Sequence, residues 1–164
     1  LEQLLAPAVV LDVAAKAAAN ADYRLSAEDV RAWESQHGAI AAGTIVLLRT
    51  GWGARWPDRK QYFGDDTPGA TDNLHFPSYG EDAARLLVED RRIAALGVDT
   101  ASIDYGQSRD FIVHRIANGA NVPGFENVAN QPFLNGINPP PTTQFDDSGS
   151  LVYHGPIIGL LWQR

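Results

Sequence analysis

Apolar residues along the chain fall into short runs separated by polar turns and by stretches with helical spacing. Ala8–Val13 (AVVLDV), after Pro7, reads as a strand buried on at least one face. A polar turn follows around Asn20–Arg24. Ser26, with Glu28 and Asp29 behind it, predicts a helix whose first turn is capped by the hydroxyl and carries acids where the helix dipole favours them. Val30 and Trp33 recur at helical spacing and are expected to cover a sheet face, and Gly38 ends the element. Thr44–Thr50 (TIVLLRT) is almost continuously apolar between Gly43 and the turn Gly51-Trp52-Gly53, which predicts a strand in the middle of a sheet. Glu81–Glu89 predicts a helix through Ala83, Ala84, Leu87 and Val88, and Ala94–Asp99 predicts the next strand. Ser108–Ala117 predicts a short helix with Phe111, Val113 and Ile116 toward the core, His114 on an adjoining face, and Asn118-Gly119 as its stop.

The segments between are as informative. Trp52–Asn73 is long, aromatic and rich in turns, and predicts a lid or a subunit-contact loop, with His75-Phe76-Pro77 just after it. Gln131–Ser150 is loop-like and contains Pro139-Pro140-Pro141. Leu151–Trp162 is apolar enough for one last strand, interrupted by Gly155-Pro156. There is no internal repeat and no domain linker, so residues 1–164 are expected to form a single domain.

Composition narrows the function classes. A hydrophobic content of 45% over 164 residues suits a domain that buries a sizeable core. A net charge of −7 argues against a nucleic-acid partner, which would require a basic face. The longest apolar runs are too short to span a bilayer, and no membrane association is expected. With no cysteine, disulfides, thiolate metal sites and cysteine nucleophiles are excluded, while the compartment stays open, the cytoplasm being slightly favoured. The chain starts at Leu1 and contains no methionine, so it is expected to be a processed chain, a fragment or part of something longer.

Candidate chemistry is densest in Asp99–Asn130, at and beyond the end of a strand, where the loops of α/β sheets open into a crevice. Of the four histidines, His114 is followed by Glu126 across a Gly-Ala-Asn-Val-Pro-Gly loop that could return the carboxylate to the imidazole. The pair could bind a metal or be structural, because two donors are short of a metal site. His75 suits a general acid–base or a histidine that holds its loop by hydrogen bonds. His37 sits at a helix C-terminus, where the dipole favours a cation, and His154 beside Gly155-Pro156 carries no signal. Asp99, Asp104 and Asp110 read as a metal shell or as helix caps, with caps preferred. No G-x-S-x-G elbow supports a serine hydrolase, and Gly51-Trp52-Gly53 lacks the third glycine of a dinucleotide loop.

Four segments together, LLRTGWG (Leu47–Gly53), NLHFP (Asn73–Pro77), GVDTASIDYGQSRDFIVHR (Gly97–Arg115) and NVPGFENVAN (Asn121–Asn130), resemble the cyclase family of metal-dependent hydrolases, which includes kynurenine formamidases and isatin hydrolases. Their order and spacing match over about Pro7–Leu134. The resemblance implies an α/β fold, with a mixed sheet or small barrel flanked by helices, assembled as a dimer or tetramer. It also implies hydrolysis of an amide, formamide or lactam bond in a small aromatic metabolite, such as those of tryptophan catabolism, with a zinc or manganese ion. By position, His114 and Glu126 correspond to metal ligands. Gln107 and Ser108 fall where a polar side chain reaches toward the ion or substrate, Asp99 and Thr100 would support that shell, and Trp52 and His75 would line the pocket, His75 as the catalytic candidate.

The family's H-x-G-T-H-x-D-x-P-x-H segment, which supplies the principal metal ligands, is absent. Two readings follow from the resemblance: part of a full enzyme carrying the second half of a metal site, or a short homologue serving as a binding or structural protein. In either case the ligand set of this chain is expected to be incomplete, and a partner chain could complete it.

Overall fold

The computed structural model describes residues 5–128. The loop expected at Gln131–Ser150 and the strand expected at Leu151–Trp162 lie outside the described residues, as does His154. In chain order the elements are β1 (Ala8–Asp12), α1 (Ala14–Ala19), β2 (Arg24–Leu25), α2 (Ala27–His37), β3 (Ile45–Arg49), a 3-10 turn at Trp52–Arg55, α3 (Arg59–Phe63), β4 (Ser78–Tyr79), α4 (Glu81–Arg85), which widens into a π-helical turn at Leu86–Asp90, β5 (Ala95–Val98), α5 (Ile112–Gly119) and β6 (Gly124–Phe125). The principal sheet has the order β1-β3-β5-β6, and β2 and β4 form a separate pair; among the described residues every strand pairing is parallel.

The apolar runs become the inner strands because they are covered on both faces. Ile45, Val46 and Leu48 of β3 and all of β5 are buried, as parallel strands between helical layers require. Val30 of α2, Leu87 and Val88 of the π-helical turn, and Val113 and Ile116 of α5 join these strands in one apolar cluster, with Trp33 packed against it. This is the α/β architecture, a sheet flanked by helices, that the segment resemblance implies.

Polar contacts tie the elements at specific points. Tyr79 is fully buried, and its hydroxyl donates toward the Val46 and Gly97 carbonyls at 3.1 and 2.8 Å, linking β4 to the two central strands. Burial pushes its phenol far above the ordinary range, so the hydroxyl stays a donor. Ser26 and Asp29 form the full capping box of α2. Gly38 closes that helix, as expected.

The expected helix at Ser108–Ala117 needs correction at its start. Residues 105–111 form turns, and α5 begins at Ile112. Phe111, expected in the core, takes a left-handed backbone with φ 50° and is 57% exposed. The physical reason is the cap. Asp104 accepts the Val113 and His114 amides at 2.9 and 3.2 Å, so the first turn is organised around a carboxylate that arrives from outside the helix.

Candidate active site

Trp52, Asp99, Thr100 and Glu126 follow the C-terminal ends of β3, β5 and β6, where the topology of a parallel sheet opens a crevice. Asp99, just past β5, is buried and accepts hydrogen bonds from the Thr50 amide at 2.8 Å, the Thr50 hydroxyl at 2.6 Å and the Gly51 amide at 2.8 Å. It therefore locks the end of β5 to the end of β3. Gly51 turns the chain there with φ 75°, a conformation that favours glycine. Thr100 is fully buried; its hydroxyl donates to the Ser102 carbonyl at 3.1 Å, and its own carbonyl accepts the Asn127 amide at 2.8 Å. Thr100 thus braces the segment that carries Glu126.

The centre of the site is a relay of Asp104, His114 and Glu126. Asp104 is buried, and besides capping α5 its Oδ2 lies 2.6 Å from His114 Nδ1. That contact assigns the imidazole proton to Nδ1 and turns Nε2 toward Glu126, whose Oε1 stands 3.3 Å away. Glu126 is fixed in turn by the Ile103 amide, which donates to Oε1 at 3.1 Å. The loop of Asp104 is itself anchored: Ser78 Oγ donates to the Ser102 carbonyl at 2.8 Å, and Asp104 pairs with Tyr79 in an isolated parallel bridge. A cap and a second-layer carboxylate are here the same residue.

His75 lies apart from that relay. Its Nδ1 contacts the Asp22 carboxylate at 2.9 and 3.0 Å, and the Gln107 amide approaches Nε2 at 3.2 Å. The side chain is half-buried. Its segment is pressed against the Gln107 loop so closely that a Cβ at Gly106 would sit 2.5 Å from the Leu74 carbonyl oxygen. Only glycine permits that approach.

Gln107 and Ser108 border a cavity of about 560 Å³, within the range of small-molecule sites. Phe63, Leu74, Phe76 and Ala101 give it an apolar wall. Trp52, 2% exposed, sits behind this wall in a cluster with Tyr62 and Phe76, its indole N–H donating to the Tyr62 carbonyl at 2.8 Å. The Tyr62 hydroxyl contacts Asn127 Oδ1 at 2.5 Å and the Asp99 carbonyl at 3.4 Å. Burial, with the negative charges of Asp99 and Glu126, raises its phenol well above the ordinary value, so it remains neutral. Sequence reasoning gave no role to Asp22 or Tyr62, which are far in sequence from the groups they touch. For Asp104 it recognised the cap but not the contact with His114.

A family model for cyclases matches residues 1–105. The chain belongs to the cyclase family. It is 31% identical over 134 residues to an isatin hydrolase of Roseibium aggregatum, covering 79% of this chain and 49% of that relative. Among solved structures, isatin hydrolase A from Labrenzia aggregata, bound to benzyl benzoate, superposes with a TM-score of 0.72 at 33% identity, covering 81% of this cyclase-family chain and 51% of its own. Isatin hydrolase A from Ralstonia solanacearum gives a TM-score of 0.72 at 34% identity, with coverages of 85% and 51%. This cyclase-family chain therefore spans about half the length of the relatives it matches.

Proposed function

We propose that this chain supplies part of a metal-dependent hydrolytic site that cleaves an amide, formamide or lactam bond in a small aromatic metabolite, in the manner of the isatin hydrolases it resembles. The observation that carries the reading is the orientation of His114. Asp104 occupies Nδ1, so Nε2 is the ring nitrogen left to face the Glu126 carboxylate, 3.3 Å away. An imidazole nitrogen beside a carboxylate is the donor chemistry that zinc or manganese accepts. Among the described residues no group of three or more His, Cys, Asp or Glu is placed to hold an ion, so His114 and Glu126 would be two members of a larger set. The remaining ligands come from elsewhere in the complete protein or from a partner copy in a homo-oligomer. When bound, the divalent ion supplies Lewis acidity to the scissile carbonyl and to water.

The chain's own residues then divide the work. Water adds to the carbonyl carbon, the C–N bond breaks and the nitrogen takes a proton, leaving a carboxylate and an amine. His75, oriented by Asp22, is the candidate to carry that proton. Gln107 and Ser108 orient the substrate at the cavity, and the wall backed by Trp52 excludes water from its aromatic portion. Asp99 and Thr100 fix the strand ends on which this depends.

Metal analysis of the complete protein, combined with isatin and N-formylkynurenine hydrolysis, tests the proposal. Bound zinc or manganese, turnover, and loss of both in His114→Ala and Glu126→Ala are expected; His75→Gln should retain the metal but lower kcat by roughly 10²–10⁴-fold. Absence of both ion and turnover, or unchanged activity in the two ligand variants, overturns it. A non-catalytic binding homologue is the competing reading, favoured by the two-donor set, and turnover decides between them.

A further inference from the structure

The cavity beside Gln107 and Ser108 carries a feature that the hydrolytic reading does not use. Asp72, from the loop before His75, and Arg109, from the loop before α5, both line it, and they meet across it through one contact of 2.9 Å between the Arg109 guanidinium and Asp72 Oδ1. Their side chains are 76% and 80% exposed. An ion pair so exposed is weakly held and readily exchanged. Phe63, Phe76 and Phe111 also line it, Phe111 from an exposed position at its edge. The other carboxylate lining the cavity, Asp104, is buried and engaged by the Val113 and His114 amides and the His114 ring. When Asp72 turns away, the cavity presents aromatic walls and the exposed Arg109 guanidinium.

We propose that this cavity binds aromatic carboxylates, with Arg109 leaving Asp72 to pair with the carboxylate of the ligand. A planar guanidinium recognises a carboxylate through two parallel hydrogen bonds, whereas its contact with Asp72 here is single. A ligand whose ring is packed against phenylalanines holds its carboxylate beside Arg109 with less solvent screening than Asp72 has. Asp72 acts as a tethered competitor that covers the cation when the cavity lacks an anion. Arg109 thus favours the charge that amide hydrolysis creates, which the product carries and the amide substrate does not. The inference rests on placing the ligand cavity at Gln107 and Ser108, and it does not require turnover.

Calorimetric titration of the complete protein with benzoate and with benzamide, which share a ring and differ in charge, tests it. Benzoate is expected to bind more tightly than benzamide. Arg109→Gln should weaken benzoate by roughly tenfold and leave benzamide unchanged. Asp72→Asn should tighten benzoate by about two- to threefold, a gain that loss of a merely structural ion pair would not produce. Equal affinity for the two probes, no measurable binding of benzoate, or a preference that survives Arg109→Gln overturns the proposal. Isatin turnover measured on the same samples separates the two readings: hydrolysis without charge preference removes only this inference, and charge-selective binding without hydrolysis removes only the enzymatic one.

Discussion

At the scale of single residues, Asp104 shows how one carboxylate can serve fold and site together. Its Oδ1 accepts the Val113 amide, and its Oδ2 accepts the His114 amide and contacts the His114 ring. Replacing it by asparagine keeps an oxygen for the cap but removes the charge that holds the imidazole in one tautomer. Asp104→Asn is therefore expected to leave α5 largely formed while lowering zinc affinity by roughly 10–100-fold, the usual effect of removing a carboxylate behind a ligating histidine. Zinc titration by calorimetry checks this, and unchanged affinity would show that His114 does not depend on Asp104 for its orientation. Such a role was only half legible in the sequence. An acid before a helix suggests a cap, but nothing local says that the same acid will meet a side chain inside the helix. Asp22 and Tyr62 were less legible still, because their partners His75 and Asn127 come from distant segments.

At the scale of elements, the Glu34–Arg91 pair joins α2 to the segment before β5. Arg91 donates from Nε to Oε1 at 2.7 Å and from a terminal nitrogen to Oε2 at 2.9 Å, while the Ile40 amide donates to Oε1 at 3.0 Å. The Arg91 hydrogen bonds lower the Glu34 carboxyl below its ordinary value. A depressed carboxylate contributes stability above its unfolded pKa, and that contribution is lost as pH falls through the folded value. Glu34→Gln should therefore cost about 1.5–3 kcal/mol at pH 7, and the difference from the parent should shrink once the pH falls below about 4. Denaturant unfolding at the two pH values measures it, and a pH-independent gap would contradict the linkage. The elements read most easily were those whose burial is written in continuous runs: Thr44–Thr50 contains β3, Ala94–Asp99 contains β5, and Ala8–Val13 contains β1. Capping chemistry likewise located α2. By contrast, α1 is a six-residue alanine-rich turn without an apolar period, and β2, β4 and β6 are two residues each, set by tertiary pairing rather than by pattern. Trp52–Asn73 read as a loop, yet it encloses α3, whose Asp58 cap accepts the Gln61 amide, and buries Trp52 and Tyr62.

At the scale of the whole molecule, the sheet and the candidate metal donors are linked through folding. His114 is held by α5 and Glu126 follows β6, while the Asp104 loop is pinned to β4, so the donors converge only when these elements pack together. An ion that binds this arrangement and not the unfolded chain must stabilise the fold by RT ln(1 + [L]/Kd), about 2.7 kcal/mol at a hundredfold excess over Kd. For the complete protein, which supplies the remaining ligands, each kcal/mol raises Tm by at most roughly 2–4 °C, so a hundredfold excess of zinc or manganese over Kd should raise it by up to about 5–11 °C. The increment should vanish in His114→Ala and Glu126→Gln, and a chelator should return the loaded protein to its metal-free Tm. His37, Nδ1-bonded to the Trp33 carbonyl and stacked on that indole at 4.4 Å, lies on α2 and provides the control, because His37→Ala should keep the full increment. A metal-dependent rise of equal size in all variants would place the ion elsewhere and remove His114 and Glu126 from the ligand set.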